Sequence, residues 1–226
     1  MLQYALLGIF IGVSFLAYII IQGTRAALAW REAAQKGDTK VIRDIVEDAL
    51  KLWGAQKRPK PVSAEVWRGI QSMQLAGVAA DYVRVSCVAE SDYKMLDGRW
   101  VEIRNPLQEG VSITAKAADM LFWELPHYRP ENIQIDIYTD YRDDDGRTRR
   151  ECIMTTQAAR EDAKDLDWEE WTADQITDAL GAVYKLNETG RPMSIAPLAP
   201  PEATETPEEI EAKLTEAKAE PHEAHA

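Results

Sequence analysis

The chain opens on an apolar run that no charged side chain interrupts, from Leu2 to about Ile21. About 20 helical residues rise roughly 30 Å, the thickness of a bilayer's hydrocarbon core. A helix of a soluble domain keeps one polar face, which this run lacks. The pattern therefore predicts a single transmembrane anchor over residues 1–22. Because only the α-amino group precedes the run, we expect a retained anchor rather than a cleaved signal peptide with its basic start.

A second pattern follows, in which apolar residues recur at helical spacing with charged residues opposite them. They are Val41, Ile42, Ile45, Val46, Ala49, Leu50 and Trp53. This periodicity predicts an amphipathic helix. The basic, proline-interrupted sequence QKRPKP follows at 56–61 and is typical of a linker. We assign residues 23–61 to a juxtamembrane helical stalk and linker. The apolar face of this helix is expected to pack on the domain that follows; the alternative is that it lies along the membrane or a partner.

Residues 62–190 mix helical and alternating patterns, which predicts one soluble α+β domain with a mainly antiparallel sheet and flanking helices. Asp97-Gly98 between two apolar segments is typical of a tight β-hairpin, because both turn positions require a positive φ. A second hairpin is predicted around Asp143–Gly146. The predicted strands are 82–89, 94–96, 100–103, 111–114, 132–141 and 148–156. Helices are predicted from Ser63 to about Ala80, from Ala115 to Leu125, and after a Thr172–Gln175 capping box.

Beyond residue 190 the composition changes to Pro, Ala and Glu. Such a sequence buries too little apolar surface to offset the entropy of ordering, so residues 191–226 are predicted to be a disordered acidic tail. The whole chain carries a formal net charge of -12, which argues against binding to nucleic-acid phosphates. Its two cysteines are too few for a disulfide framework and are expected to be reduced.

Charges beside the apolar run predict its orientation. No Lys or Arg precedes the run, whereas Arg25, Arg31, Lys36 and Lys40 follow it. Since basic residues stay on the cytoplasmic side, we expect a single-pass membrane protein with its N-terminus outside and its domain in the cytoplasm. Within the anchor, Ala5, Gly8 and Gly12 place small residues on one face, which permits close packing against a second membrane helix.

Catalytic motifs are not evident, and we predict no catalytic residue and no cofactor. The acidic region Asp136–Glu151 is the strongest candidate for chemistry, with Asp143, Asp145 and Glu151 as weak candidates for binding a hard cation. A solvated hairpin tip is the alternative interpretation of these acids. His127 is the one histidine inside the domain, where it serves either as a general base or in loop structure.

Aromatic side chains beside acidic ones are common at protein interfaces. Trp123, Tyr128, Trp168 and Trp171 are therefore predicted to bind a partner, the alternative being that they fill the core. The leading hypothesis is a membrane-anchored, non-catalytic scaffold or accessory subunit that binds protein partners or itself. Two alternatives stay open: a membrane-surface enzyme, such as a metal-dependent hydrolase, and an adaptor whose acidic tail recruits a basic partner.

Overall fold

The structure, a computed structural model, describes residues 2–142 and 146–200, with side chains from residue 12 onward except Arg142. It confirms an α+β fold behind an N-terminal apolar helix. The helices are α1 (Leu2–Gln35), α2 (Thr39–Ala55), α3 (Ala64–Gln71), α4 (Pro106–Asp119), α5 (Arg160–Lys164) and α6 (Ala173–Ala179), with a π-helical turn (Met120–Glu124) after α4. The strands are β1 (Gln74–Val78), β2 (Tyr82–Val88), β3 (Asp92–Leu96), β4 (Arg99–Arg104), β5 (Asn132–Arg142), β6 (Thr148–Ala159) and β7 (Val183–Tyr184).

Helix α1 runs without a break for 34 residues. Its segment from Gly12 to Gln35 is long and apolar enough to cross a membrane. The most apolar 18 residues of this segment are not buried inside the protein. A signal sequence has the same properties. The hydroxyl of Thr24 donates a hydrogen bond to the carbonyl of Ile20 at 2.8 Å, so this polar group is satisfied within the helix.

The main sheet has five strands in the order β1-β2-β5-β6-β7. Its neighbours pair antiparallel, as predicted, except β2 and β5, which are parallel. A parallel pair needs a crossover connection. Here the crossover is residues 89–131, which hold the separate β3–β4 hairpin and helix α4.

One face of the sheet forms the core. Alternate residues of β2 and β5 turn toward the helices, among them Val83, Val85, Ile133, Ile135 and Ile137, all of them fully buried. Helices α2, α3 and α4 cover this face. Helix α2, within the predicted stalk segment, packs on the domain as its apolar face predicts: Ile42 and Val46 are fully buried in the same core.

Two predicted elements are wrong. The helix expected to reach Ala80 ends at Gln71, because the Ser72 hydroxyl donates to the carbonyl of Gly69 and accepts the amide of Val88. Strand β1 follows. The strand expected at 111–114 lies inside α4, which starts earlier than predicted because Asn105 and Gln108 form a capping box.

Both predicted hairpins are confirmed. Asp97 and Gly98 have φ values of 50° and 77°, as their tight turn requires. Strands β5 and β6 form the longer hairpin, whose tip at 143–145 lies outside the described residues. The capping box of Thr172 and Gln175 is also confirmed, but α6 ends at Ala179, and Gly181 at φ 70° leads the chain into β7.

The other face of the sheet is polar and is covered by residues predicted to be disordered. Asp136 accepts hydrogen bonds from Thr155 at 2.7 Å and Gln134 at 3.0 Å, and pairs with Arg84 Nε at 2.7 Å. The carbonyl of Leu198 accepts a hydrogen bond from the side-chain amide of Gln134 at 2.9 Å, and the backbone amide of Ile195 donates to the carbonyl of Cys152 at 2.8 Å. The tail therefore does not start at residue 191; residues 201–226 lie outside the described residues.

Candidate functional site

The most exposed apolar surface of the domain is the β3–β4 hairpin. Trp100 keeps 68% of its surface in solvent and Met95 keeps 53%. We call the six large apolar residues of this hairpin the hairpin surface: Tyr93, Met95, Leu96, Trp100, Val101 and Ile103. Several exposed apolar side chains on one ribbon, rather than a single one, are typical of interaction sites.

The hairpin surface has two faces. Met95 and Trp100 lie directly opposite each other on one face, next to Tyr93. Leu96, Val101 and Ile103 alternate to the other face, together with Lys94 and Arg99. All six side chains are at least 41% exposed, so neither face of this ribbon packs into the core of the domain.

Polar contacts hold the base of the hairpin to helix α4. The guanidinium of Arg104 lies 3.2 Å from Glu109 Oε1 and donates to Ser112 Oγ at 2.8 Å. Burial raises the pKa of Glu109, and the neighbouring Arg104 opposes that rise. The second carboxylate oxygen of Glu109 is buried without a hydrogen-bond partner in the described part of the chain. The base is thus fixed to α4. Next to the base, Glu102 lies 3.9 Å from Arg191, and Tyr93 lines a cavity against β5, whereas the tip of the ribbon around Trp100 extends into solvent.

The hairpin surface and helix α1 lie at opposite ends of strand β2. The end of α1 meets the turn before β2, where a Cβ at Gly37 would lie 3.0 Å from that of Ala80. The hairpin follows the other end of β2, where Ala89 donates to the carbonyl of Tyr138 at 2.8 Å. A strand of seven residues separates the two by about 20 Å.

The predicted membrane-helix contact residues all lie in α1. Ala5 and Gly8 belong to the part whose side chains are outside the description, and a Cβ added at Gly12 would meet nothing described within 4 Å. The surface at Gly12 is therefore open to a second helix or to lipid. Packing through Ala5, Gly8 and Gly12 stays a prediction.

The described acids of the region Asp136–Glu151 do not converge on one point. Asp136 lies on the polar face of the sheet, whereas Glu151, paired with Thr139, turns to the opposite face. Asp140 is bound to Arg150 at 2.8 Å, which lowers the pKa of Asp140. Asp143 and Asp145 lie outside the described residues. Within residues 2–142 and 146–200, no group of three His, Cys, Asp or Glu side chains is placed to hold a metal ion.

The cysteines are two free, buried thiols. Burial raises the pKa of Cys87 to about 12 and that of Cys152 to about 11. Such thiols stay protonated at neutral pH and are poor nucleophiles.

The four aromatic residues predicted to bind a partner differ in their exposure, and their role in binding stays a prediction. Tyr128 is buried and donates its hydroxyl to the carbonyl of Ala80 at 3.1 Å. Trp123 packs at a ring-centroid distance of 6.0 Å from Phe122, with the guanidinium of Arg160 5.1 Å from its own ring. Trp168 is half-buried and donates to the carbonyl of Ala163, while Trp171 is 39% exposed.

The sequence predicted the turn of the β3–β4 hairpin but not the exposure of the apolar residues that flank it. The available signal was the lack of alternation: KML before the turn and WV after it place apolar residues on both faces. Comparison with known proteins adds no function, because the chain matches no protein-family model, no curated protein and no solved structure.

Proposed function

We propose that the protein is a membrane-anchored, non-catalytic scaffold that pairs with a second copy of itself through the hairpin surface. The observation that carries this proposal is the exposure of six large apolar side chains on a ribbon outside the main sheet. Exposing these apolar side chains to water is unfavourable in free energy, and a partner that covers them would remove this penalty.

Geometry favours a second copy over other occupants. Anchoring by α1 would hold every copy in the same plane and orientation, so each hairpin surface would lie at the same height above the bilayer. Identical surfaces at one height can meet about a two-fold axis along the membrane normal. Confinement to the membrane also raises the effective concentration of one copy around another. The Gly8 and Gly12 face of the anchor supports the same arrangement.

The position of the hairpin argues against the bilayer as its occupant. The ribbon lies at the end of β2 remote from α1, so an anchor formed by α1 would keep the ribbon away from the lipid. Its apolar residues would then contact protein. The basic residues after the apolar run further support a cytoplasmic domain.

Cysteine cross-linking tests this proposal directly, because both natural thiols are buried. Met95→Cys would carry the single exposed thiol of the full chain. In membranes under mild oxidation we expect a disulfide-linked species of twice 25.4 kDa. Adding Trp100→Ser should lower the yield several-fold, whereas adding Trp171→Ser should not.

The matched control is Glu169→Cys, an exposed position between α5 and α6. Cross-linking of Glu169→Cys as efficient as that of Met95→Cys would reflect random collision and would sink the pairing. Gly8→Leu with Gly12→Leu tests the anchor separately: a lower yield supports helix packing, and an unchanged yield removes the anchor from the proposal. An impermeant thiol reagent applied to sealed vesicles of each orientation tests on which side Met95→Cys lies.

A further inference from the structure

A cavity of about 440 Å³ lies where helix α1 meets the domain. Its walls come from the end of α1, the turn before β2 and the loop before β5. Charged side chains of both signs line it: Arg31, Asp81, Arg129 and Glu131, with His127 beside them. We call it the membrane-proximal cavity. Its volume is in the range of small-molecule sites.

The charged groups of this cavity are not paired with one another. Within residues 2–142 and 146–200, the side chains of Arg31, Asp81 and Glu131 form no hydrogen bond and no ion pair within 4.0 Å, although the charge of Glu131 acts on Arg160 and Lys164. Arg129 donates through Nη1 to the carbonyls of Leu125 and Tyr128, which leaves its other guanidinium nitrogens available. All four charged residues are solvent-exposed, so water hydrates them in the empty cavity, and a ligand that itself carries both charges would replace that water.

The walls are held by the fold. Tyr128 is buried beneath the cavity with its hydroxyl on the carbonyl of Ala80. The amides of Glu131 and Asn132 both donate to the carbonyl of Asp81 at 2.9 Å, which fixes the two loops against each other. His127 has a φ of 60°, a left-handed conformation that is uncommon for residues other than glycine. The cavity therefore exists before any ligand binds.

The cavity also lies at a height that suits a lipid head group. With Leu2 in the outer head-group layer, the hydrocarbon core would end near Arg25 rather than near Ile21, and Trp30, about 43 Å along the helix, would lie in the inner head-group layer. Leu28 and Trp30 are exposed on α1, at 58% and 39%, and tryptophan is enriched at membrane interfaces. Arg31 follows Trp30 directly, so an anchored helix would place it among the head groups.

We propose that the membrane-proximal cavity binds a phospholipid head group that carries a phosphodiester anion and a primary ammonium, as in phosphatidylethanolamine. Arg31 and Arg129 would bind the phosphate, and Asp81 and Glu131 would accept hydrogen bonds from the ammonium. This inference rests on the membrane anchor of the proposed function but not on the hairpin surface.

The chemistry predicts which head groups are rejected. A choline group has no N–H to donate, and its methyl groups would leave two carboxylates without hydrogen bonds. A glycerol head group lacks the positive charge altogether. Because a hydrogen bond to a charged group changes affinity by about tenfold or more, the ethanolamine head group should bind at least about tenfold more tightly than either.

The experiment titrates the full chain in non-ionic detergent with dihexanoyl phosphatidylethanolamine, phosphatidylcholine and phosphatidylglycerol, followed by native mass spectrometry. Arg31→Gln should weaken binding of the ethanolamine lipid about tenfold, whereas Arg25→Gln, on the same helix but outside the cavity, should not. Asp81→Asn with Glu131→Gln should abolish the preference for ethanolamine over choline.

Equal affinity for the three lipids, or equal effects of Arg31→Gln and Arg25→Gln, would overturn the site. Soluble glycerophosphoethanolamine that binds as tightly as the lipid would overturn the assignment to a membrane lipid. Flotation of the wild-type chain with liposomes reports on the anchor independently. Trp100→Ser, which tests the hairpin surface, should leave lipid binding unchanged, so the two proposals fail separately.

Discussion

The domain contains two β-hairpins that turn signals in the sequence predict, and they differ in how much of their apolar surface is buried. The β5–β6 hairpin forms the centre of the main sheet, with Ile135 and Ile137 fully buried on one face and Asp136 in a hydrogen-bonded network on the other. The β3–β4 hairpin has comparable apolar content and leaves Trp100 and Met95 in solvent. Apolar side chains in the first stabilise the fold, whereas those in the second stay exposed to solvent.

The largest expected effect tests the buried member of the pair. Ile135→Ala removes a fully buried side chain between the sheet and its helices and should lower the free energy of unfolding by about 2–5 kcal/mol. Urea denaturation of the full chain in detergent, monitored by circular dichroism, measures it. A loss below about 1 kcal/mol would mean that the β5–β6 hairpin is not the core described above.

The polar face of the same hairpin gives the next effect. Asp136→Ala leaves Arg84, whose side chain is 20% exposed, without its ion-pair partner, and frees the Thr155 hydroxyl. Removing one partner of a buried pair costs about 3–5 kcal/mol; with Arg84 partly solvated, we expect about 2–3 kcal/mol. Adding Arg84→Met to Asp136→Ala, as a double variant, should recover part of the lost stability. A double variant less stable than Asp136→Ala would contradict the ion pair.

The base of the exposed hairpin should show a pH dependence. Burial raises the pKa of Glu109 above its usual value of 4.5, so the folded state binds this proton more tightly than the unfolded state. Its contribution to stability is complete below pH 4.5 and is lost as the pH rises through the raised pKa. The wild-type advantage in thermal midpoint over Glu109→Gln should therefore shrink as the pH rises.

Asp140 supplies the control of opposite sign. Arg150 lowers the pKa of Asp140, so the wild-type advantage over Asp140→Asn should instead grow as the pH rises from strongly acid values. Parallel pH profiles for the two variants would contradict the assignment of Glu109 as a buried carboxyl.

The smallest effect on stability belongs to the hairpin surface. Trp100→Ser exposes no core and breaks no hydrogen bond, so the free energy of unfolding should change by no more than about 0.5 kcal/mol, although the cross-linking yield should fall. Unfolding by urea and cross-linking of Met95→Cys with Trp100→Ser measure the two effects. A loss of several kcal/mol would show that Trp100 belongs to the folding core.

Much of the fold follows from local patterns in the sequence. Turn chemistry at Asp97-Gly98 and the capping box at Thr172 are decided by neighbouring residues, and both were predictable. The parallel pairing of β2 with β5 joins residues about 50 positions apart, which no local pattern encodes. For α2, the apolar stripe predicted a helix and favoured packing on the domain, but it left a membrane or a partner open as the surface that Ile42 contacts.

The candidate sites were less predictable, for a related reason. The acids at Asp136 and Glu151 are close in sequence, but strand alternation and a bulge between Ile137 and Tyr138 send them to opposite faces. Arg31 and Glu131 are far apart in sequence, and only the folded chain brings them to one cavity. Exposure of Trp100 depends on what the rest of the chain leaves uncovered, which is a property of the whole fold.

The position of the β3–β4 hairpin within the crossover connection has a consequence for how this protein can vary. Residues 89–131 must carry the chain from β2 to β5, and helix α4 covers the sheet on the way, but the ribbon adds no strand to that sheet. Residues between Ser91 and Arg104 can therefore change in sequence and length without removing a strand pair from the main sheet. Selection, or an engineer, can replace this ribbon and alter the exposed surface of the molecule while the five-stranded sheet keeps its pairing.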